Sequence, residues 1–263
     1  MTPAAVLPGL DARTLLLLCL AALLAGWVDA VVGGGGLIQL PALLLVPGFA
    51  PVQAIATNKV GSIMGTAVSS ATYYRRVHPD LRLAAPTALV ALCGAFGGAV
   101  TARRIPTSVF TPIILVALAA VLVFTLARPR IGADAGTPMA LREALARAVP
   151  FGALIGFYDG FMGPGTGSFL VLGLAALTRL PFLQATATTK IVNLATNLGA
   201  LLFFAPQGLV EWRIGLAIGL ANMAGGYLGA RTAVRLGSRF VRGVLIVVVS
   251  ALILKLGLQV VQG

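Results

Sequence analysis

The sequence predicts an all-α integral membrane protein made of two inverted-topology repeats. Each repeat is expected to hold about five hydrophobic segments, with a glycine-broken helix and one short half-helix. Three observations lead to this prediction: the composition, an internal duplication and the placement of the arginines. Of the 263 residues, 59% are hydrophobic and only 10% are charged, and the mean hydropathy is +1.00. Soluble domains carry far more charge, and several windows reach the ~18 to 20 apolar residues of a bilayer-spanning helix.

The internal duplication divides the chain into two halves. Four positions recur 130 residues later: Gly26 as Gly156, Asp29 as Asp159, Gly33 as Gly163 and Gly35 as Gly165. After one inserted residue the offset is 131, so that "QAIATNK" (53–59) matches "QATATTK" (184–190). We therefore predict an N-terminal repeat (1–127), a linker (128–141) and a C-terminal repeat (142–263) within one integrated membrane domain.

Each repeat contains five apolar segments, of which the second is short. The segments cover roughly 14–32, 36–47, 52–74, 83–102 and 108–127, then 144–162, 166–178, 182–205, 214–234 and 240–261. A helix of ~12 residues spans ~18 Å, whereas the hydrocarbon layer is ~30 Å thick. The short segments 36–47 and 166–178 therefore either cross obliquely or dip into the bilayer and return.

The arginines between the segments predict the orientation of the repeats. If each repeat makes an odd number of crossings, the repeats are inverted and one side of the membrane collects most of the positive charge. That side carries Arg75, Arg76, Arg128, Arg130, Arg235 and Arg239, and the other chiefly Arg13, Arg103, Arg104 and Arg213. The positive-inside rule then places both termini outside. The same rule explains the net charge of +12, so we expect no nucleic-acid binding.

Asp29 and Asp159 lie inside apolar segments. A charge near the bilayer centre costs at least ~2.5 to 3.5 kcal/mol, so each aspartate requires a partner or a function. One interpretation is that each carboxylate caps the broken turn that follows it. The other is that it couples a proton or contacts a substrate. The sequence leaves both open.

Two glycine-rich turns, "GGGG" (33–36) and "GPGTGS" (163–168), each open a short helix. Helix starts have unpaired N–H groups and a positive dipole end, which favour anions, and irregular backbone persists at membrane depth only where it is buried or lines a wet cavity. The candidate binding residues are Gly33, Gly34, Gly35, Gly36, Gly163, Gly165, Thr166, Gly167 and Ser168. Close helix packing through glycine is the alternative.

The third segment of each repeat adds a polar stripe headed by lysine. Its members are Lys59, Ser62 and Thr66 in the first repeat, and Lys190, Asn193 and Asn197 in the second. Spacings of three and seven put each set on one helix face, which we expect to line a cavity or the bundle interior. The alternatives are interhelical hydrogen bonds and ion pairs between the lysines and the two aspartates.

Two further features have structural interpretations. Gly94 and Gly98, which recur as Gly225 and Gly229, predict close helix packing. Cys19 and Cys93 lie in apolar segments as small packing residues, so no disulfide, metal site or cofactor is expected.

These motifs resemble the sulfite exporter TauE/SafE family, which is also grouped with the 4-toluene sulfonate uptake permeases. The likeness is carried by "GWVDAVVGGGGLIQLPALLL" (26–45), "GFYDGFMGPGTGSFLVL" (156–172), the two "QA" motifs and "NLATNLGALLFF" (193–204). The resemblance implies a multi-pass permease of the bacterial inner membrane for small sulfur-containing or carboxylate anions, such as sulfite or sulfonates. Members differ in substrate and in direction. The first turn also lacks the hydroxyls of Thr166 and Ser168, so the two turns are not expected to contribute equally.

The residues themselves suit a small anionic substrate, since each repeat brings a helix start and a lysine toward the midplane. Export of an anion gains ~2.3 kcal/mol per 100 mV, whereas uptake needs a coupled cation or proton, for which the aspartates are candidates. An intramembrane aspartyl protease is a remote alternative, because the chain has no G-x-G-D motif, and we expect no enzyme. A scaffold is a third class, and homo-oligomerisation stays open.

Overall fold

The computed structural model describes residues 11–104 and 139–262, and within these ranges every regular element is an α-helix. In the first half the helices are α1 (Ala12–Val32), α2 (Gly36–Leu44), α3 (Pro51–Val77) and α4 (Leu81–Ala102). In the second half they are α5 (Leu141–Phe161), α6 (Thr166–Thr178), α7 (Phe182–Phe204) and α8 (Trp212–Gln262). The predicted segment 108–127 and nearly all of the predicted linker lie outside the described residues.

The helices confirm the predicted segments within the described part of the chain. The two short segments form α2, of 9 residues, and α6, of 13 residues. One difference lies in the second half, where the segments 214–234 and 240–261 join into the 51-residue α8. Their boundary persists as a single non-helical residue, Gly237, at φ 74° and ψ −170°. This conformation is open essentially to glycine alone, so Gly237 marks where the two segments meet.

Local sequence explains several of the helix ends. Asp11 and Asp80 cap α1 and α4 by accepting N–H bonds from Thr14 (3.3 Å) and Arg82 (2.8 Å). Helix α1 ends at Gly33, whose φ of 79° is left-handed and whose N–H donates to the Asp29 carbonyl at 2.8 Å. The predicted turn after α1 therefore begins where the sequence places it.

Helices α4 and α5 pack closely, and so join the two halves. A Cβ atom on Gly94 would lie 2.5 Å from the Ala153 carbonyl oxygen, and one on Gly98 would lie 2.0 Å from that of Phe157. Real Cβ atoms do not approach so closely, so only glycine allows the two backbones this contact. The prediction of close packing at these glycines is confirmed.

Helices α1 and α8 repeat that contact at equivalent positions. A Cβ atom on Gly225 would lie 2.0 Å from the Leu23 carbonyl oxygen, and one on Gly229 would lie 2.5 Å from that of Trp27. These glycines and their partners are the duplicates of those between α4 and α5. Each of these interfaces thus pairs a helix of one half with a helix of the other.

Helices α3 and α7 contact each other, and they also pack against α8 and α4 respectively. The outer helix α1 exposes Leu16 (60%), Leu17 (56%) and Leu20 (54%), while its other face is buried. Of the described helices, α1 and α4 have the length and apolar composition of membrane spans. An exposed leucine surface of this kind is expected to face lipid.

Candidate functional site

Lys59 and Lys190 are buried, at 1% and 0% exposure, on α3 and α7. Each forms an ion pair with the aspartate of the opposite half. The Lys59 Nζ lies 2.8 Å from Asp159 Oδ1 at the end of α5, and the Lys190 Nζ lies 2.9 Å from Asp29 Oδ2 at the end of α1. Among the alternatives for the lysines, ion pairing is therefore the one that the structure shows. The pairs bring together four charges that the sequence places 161 or 100 positions apart.

The two ion pairs differ in exposure and in hydrogen bonding. Lys190 also donates to the backbone carbonyl of Asp29, and the Asp29 side chain is 16% exposed. The Asp159 side chain is only 3% exposed, and its Oδ2 has no hydrogen-bond partner among the described residues. Leaving a buried carboxylate oxygen without a hydrogen-bond partner costs free energy. The pair at Asp159 thus has one acceptor position that no described residue occupies.

The two glycine turns meet each other. A Cβ atom on Gly33 would lie 2.1 Å from the Gly167 carbonyl carbon, which leaves no room for a side chain at either position. The Ser168 N–H donates to the Gly33 carbonyl at 3.1 Å, and the Ser168 hydroxyl donates to the Val32 carbonyl at 2.9 Å. The start of α6 is thereby joined to the end of α1.

This contact corrects one expectation about the helix starts. The sequence predicts free N–H groups at both, but those of Thr166 and Ser168 are engaged. The Thr166 N–H and hydroxyl both donate to the Gly163 carbonyl, at 3.3 and 2.8 Å, and Ser168 donates to the first turn. The Ser168 donors are satisfied because Val32 and Gly33 lie close enough to accept them, whereas the Thr166 donors are satisfied within their own turn. A role of either residue in binding an anion stays a prediction.

Each turn also lies against an ion pair. A Cβ atom on Gly163 would lie 2.9 Å from Lys59 Nζ, and one on Gly35 would lie 2.6 Å from the Asp29 Cβ. Gly34 is buried and accepts the Leu37 N–H, while Gly36 lies near Gly163. Close approach therefore explains glycine at most of these positions, and the same approach brings the turns to the charges.

Apart from the two lysines, the residues of the polar stripes form hydrogen bonds within their own helices. The Thr66 hydroxyl donates to the Ser62 carbonyl at 2.7 Å, and the Asn197 amide donates to the Asn193 carbonyl at 2.8 Å. Thr66, Asn193 and Asn197 are buried, and Ser62 is half-buried. None of these four residues forms a hydrogen bond to another described helix, which disfavours the alternative of interhelical hydrogen bonds.

The sequence did not identify a second buried polar pair, formed by Gln39 of α2 and Asn222 of α8. The Asn222 amide donates to Gln39 Oε1, while Gln39 Nε2 has no partner in the described part of the chain. Both residues are at most 4% exposed and lie over glycines of α3. The duplication does not reveal them, because the equivalent positions in the other repeat are Phe169 and Ala91. A polar side chain within an apolar segment was the available signal.

A last pair of buried polar atoms lies immediately before the lysines in sequence. Asn58 Oδ1 and Thr189 Oγ1 occupy equivalent positions in the repeat, and neither has a partner among the described residues. Buried polar atoms that the protein does not satisfy are places where water or a polar ligand binds. The described residues hold no cluster of His, Cys, Asp or Glu suited to a metal ion.

Comparison with known proteins identifies the family of this chain. A family model, sulfite exporter TauE/SafE, matches residues 18–256 and so includes both turns and both lysines. The chain belongs to the sulfite exporter TauE/SafE family. No solved structure matches it.

Relatives of the family in three bacteria carry transporter names. "Probable membrane transporter protein ORF9" of Sinorhizobium sp is 37% identical over 91% of this chain and 90% of its own length. "Probable membrane transporter protein YfcA" of Escherichia coli K12 is 30% identical over 89% and 86%. A "Probable membrane transporter protein" of Haemophilus influenzae is 30% identical over 85% and 86%. Family and relatives thus indicate a membrane transporter rather than an enzyme.

Proposed function

We propose that the protein carries a small anion, such as sulfite, a sulfonate or a related organic anion, across the bacterial inner membrane. The observation that supports this most is the pair of buried lysines, each held by a carboxylate of the opposite half. A lysine that binds a carboxylate in this way can bind a sulfite, sulfonate or substrate carboxylate by the same charge-assisted hydrogen bonds. In this structure the aspartates occupy the positions at the lysines that the anion would take.

The proposed binding site comprises the lysines, the polar stripes and the glycine turns. Its residues are Gly33, Gly34, Gly35, Gly36, Lys59, Ser62, Thr66, Gly163, Gly165, Thr166, Gly167, Ser168, Lys190, Asn193 and Asn197. Both lysines are almost completely buried, so this conformation is closed, and substrate entry requires the halves to move apart. Separation of the turns would release the Thr166 and Ser168 donors toward the anion.

We further propose inverted repeats that move by alternating access. The duplicated contacts of α1 with α8 and of α4 with α5 support this arrangement, because each links the two halves at an equivalent place. Inverted repeats that rock about a central site are common among secondary transporters. The arginines favour the multi-pass orientation with both termini outside.

The ion pairs favour the proton-coupled form of this function. When an anion binds to one of the lysines, the aspartate that was paired with that lysine is left unpaired in a buried position. An unpaired buried carboxylate is strongly disfavoured, so it takes up a proton. One monovalent anion and one proton then move together without net charge. The concentrations of anion and proton would therefore set the direction, rather than the membrane potential.

The same pairs disfavour the remote alternative of an intramembrane aspartyl protease. That chemistry uses two carboxylates that share one proton. Here each carboxylate is held by its own lysine, at 2.8 and 2.9 Å.

Flux into liposomes tests the proposal. Purified protein is reconstituted, and uptake of sulfite, sulfonates, sulfate and small carboxylates is measured together with a lumenal pH dye. A sulfonate is the decisive substrate, because it brings no titratable proton of its own. We expect saturable uptake that acidifies the lumen. If no anion binds or moves, the proposal fails, and if an anion moves without protons, only its coupling step fails.

Double variants that remove both members of an ion pair leave no buried charge without a partner. Lys59→Met with Asp159→Asn, and Lys190→Met with Asp29→Asn, remove a whole ion pair each. We expect each to reduce flux at least tenfold in protein that still folds. The matched control is Arg147→Met with Glu143→Gln, which removes an exposed ion pair of 2.6 Å on α5 and should transport normally. Flux unaffected by both buried changes would refute the role of the lysines.

A further inference from the structure

A cavity of about 590 Å³ lies between the end of α3 and the part of α8 that precedes Gly237. It is lined by Thr72, Arg76, Leu228, Arg231, Thr232, Val234, Arg235 and Leu236. A second cavity of about 300 Å³ shares Thr72, Arg76 and Arg231 with it and adds Arg75 and Tyr227. We call the two together the basic cavity. Neither is lined by the lysines or the glycine turns, so the basic cavity is separate from the proposed transport site.

The basic cavity is strongly positive. Four guanidinium groups line it, and no carboxylate of the described residues lies within 4 Å of any of them. Arg231 is positioned by Tyr227, since it donates to the tyrosine hydroxyl at 3.1 Å and lies 5.4 Å from the ring centre. Uncompensated arginines grouped around a cavity are an arrangement that binds phosphate or similar oxyanions.

Part of the wall of the basic cavity is apolar. Leu228 and Leu236 are 53% and 52% exposed, and Val234 lies between them in sequence. A free inorganic oxyanion is only a few atoms in size, so it would leave most of the volume and all of the leucine surface unused. A phospholipid uses both, because its phosphate suits the arginines and its acyl chains suit the leucines.

The duplication indicates that helix packing does not require three of these arginines. Arg75, Arg76 and Arg231 correspond to Pro206, Gln207 and Val100 in the repeat, although α7 and α4 pack against each other there as α3 and α8 do here. The fourth, Arg235, corresponds to Arg104. At that other end Gln207 accepts a hydrogen bond from Arg103. Arg75, Arg76 and Arg231 therefore distinguish this end of the molecule, the end that the positive-inside rule assigns to the cytoplasm.

From these observations we propose that the basic cavity binds an anionic phospholipid of the cytoplasmic leaflet. Arg76, Arg231 and Arg235 hold the phosphate, and Leu228 and Leu236 contact an acyl chain. The site lies at the junction between the two segments of α8. It does not depend on the identity of the transported anion.

Native mass spectrometry of the purified full chain tests this proposal. Phosphatidylglycerol is titrated against phosphatidylcholine of the same chain length. We expect the anionic lipid to bind at least tenfold more tightly. Replacing Arg76, Arg231 and Arg235 by Gln should weaken its binding about fivefold per arginine, since each contributes about as much as a single basic residue at a membrane surface. The control, Arg103→Gln with Arg104→Gln at the opposite end, should bind like the wild type.

A second variant keeps every charge, and so the orientation of the chain in the membrane. Thr232→Trp places a bulky side chain among the cavity-lining residues and should weaken phosphatidylglycerol binding tenfold or more. This variant tests the proposal even if the arginine variant does not fold. Equal binding of the two lipids, or normal binding by Thr232→Trp, would overturn the proposal. So would displacement of the lipid by inorganic phosphate or sulfite at millimolar concentration, because the site would then serve a free anion.

Discussion

Lys59 and Lys190 occupy equivalent positions in the two halves but are held differently. The Lys59 pair is enclosed, with both side chains at most 3% exposed, whereas the carboxylate of the Lys190 pair is 16% exposed. Lys190 has a second acceptor, the Asp29 carbonyl, and so retains a partner if the carboxylate is lost. We infer that the ion pair of Lys59 and Asp159, beside the second turn, contributes more to folding stability than the ion pair of Lys190 and Asp29, beside the first.

This difference predicts unequal stability losses. Asp159→Asn leaves Lys59 buried without a counter-charge, which should cost about 3 to 5 kcal/mol. Asp29→Asn should cost clearly less, because the Asp29 side chain is more exposed and Lys190 keeps the Asp29 carbonyl as an acceptor. Thermal unfolding in detergent measures both. Adding Lys59→Met to Asp159→Asn should recover most of the loss, and equal effects of the two single changes would contradict the inferred asymmetry.

At the scale of elements, the helices of the two halves are held together by backbone contacts at glycine. The same four-residue spacing serves α4 against α5 and α8 against α1. The glycine turns extend this contact to the ends of α1 and α6, where Gly33 and Gly167 touch. Close packing and the proposed anion binding are therefore compatible explanations for these glycines, because close packing brings the turns next to the ion pairs.

Two adjacent glycines of α4 provide a matched test. A Cβ atom on Gly98 would lie 2.0 Å from the Phe157 carbonyl oxygen, but the nearest atom to one on Gly97, outside the backbone of its own helix, would be a ring carbon of Phe157 at 3.9 Å. Gly98→Ala should therefore destabilise the protein by about 1 to 3 kcal/mol or more, since it forces α4 and α5 apart. Gly97→Ala should be neutral, or stabilising by up to ~1 kcal/mol, because alanine is the better helix former. Similar melting temperatures for the two variants would refute the proposed contact.

At the scale of the whole molecule, the crossed ion pairs make each half complete the site of the other. Neither half holds a lysine that pairs with an aspartate of its own among the described residues. Motion of one half against the other would separate charges at both pairs together. Such coupling suits a transporter that exchanges its internal carboxylates for a substrate anion.

The proposed inverted arrangement predicts opposite accessibility for equivalent loops. His78 follows α3, and Gln207 follows α7, and both are exposed. In a background with Cys19→Ala and Cys93→Ala, a cysteine in place of His78 should react with a membrane-impermeant thiol reagent only in permeabilised cells. One in place of Gln207 should react in intact cells. Labelling of both from the same side would indicate parallel repeats and would overturn this part of the proposal.

The sequence by itself determined the helical segments, the turns that separate them and the duplication that relates the halves. These follow from local properties: apolar length, glycine content and residues that recur at a constant offset. Within the described residues the structure agrees with the sequence closely, apart from the joining of two segments into α8 at Gly237.

Only the tertiary structure decided which charges pair, that Gly33 of the first turn accepts the Ser168 N–H, and that Asn222 donates to Gln39. Hydropathy and periodicity indicate which face of each helix is buried, but not which helix of the other half packs against that face. The partners of Lys59 and Lys190 depend on the crossing of helices far apart in sequence, at glycines that let backbones touch. The site is therefore a product of how the halves pack, and no single segment contains it.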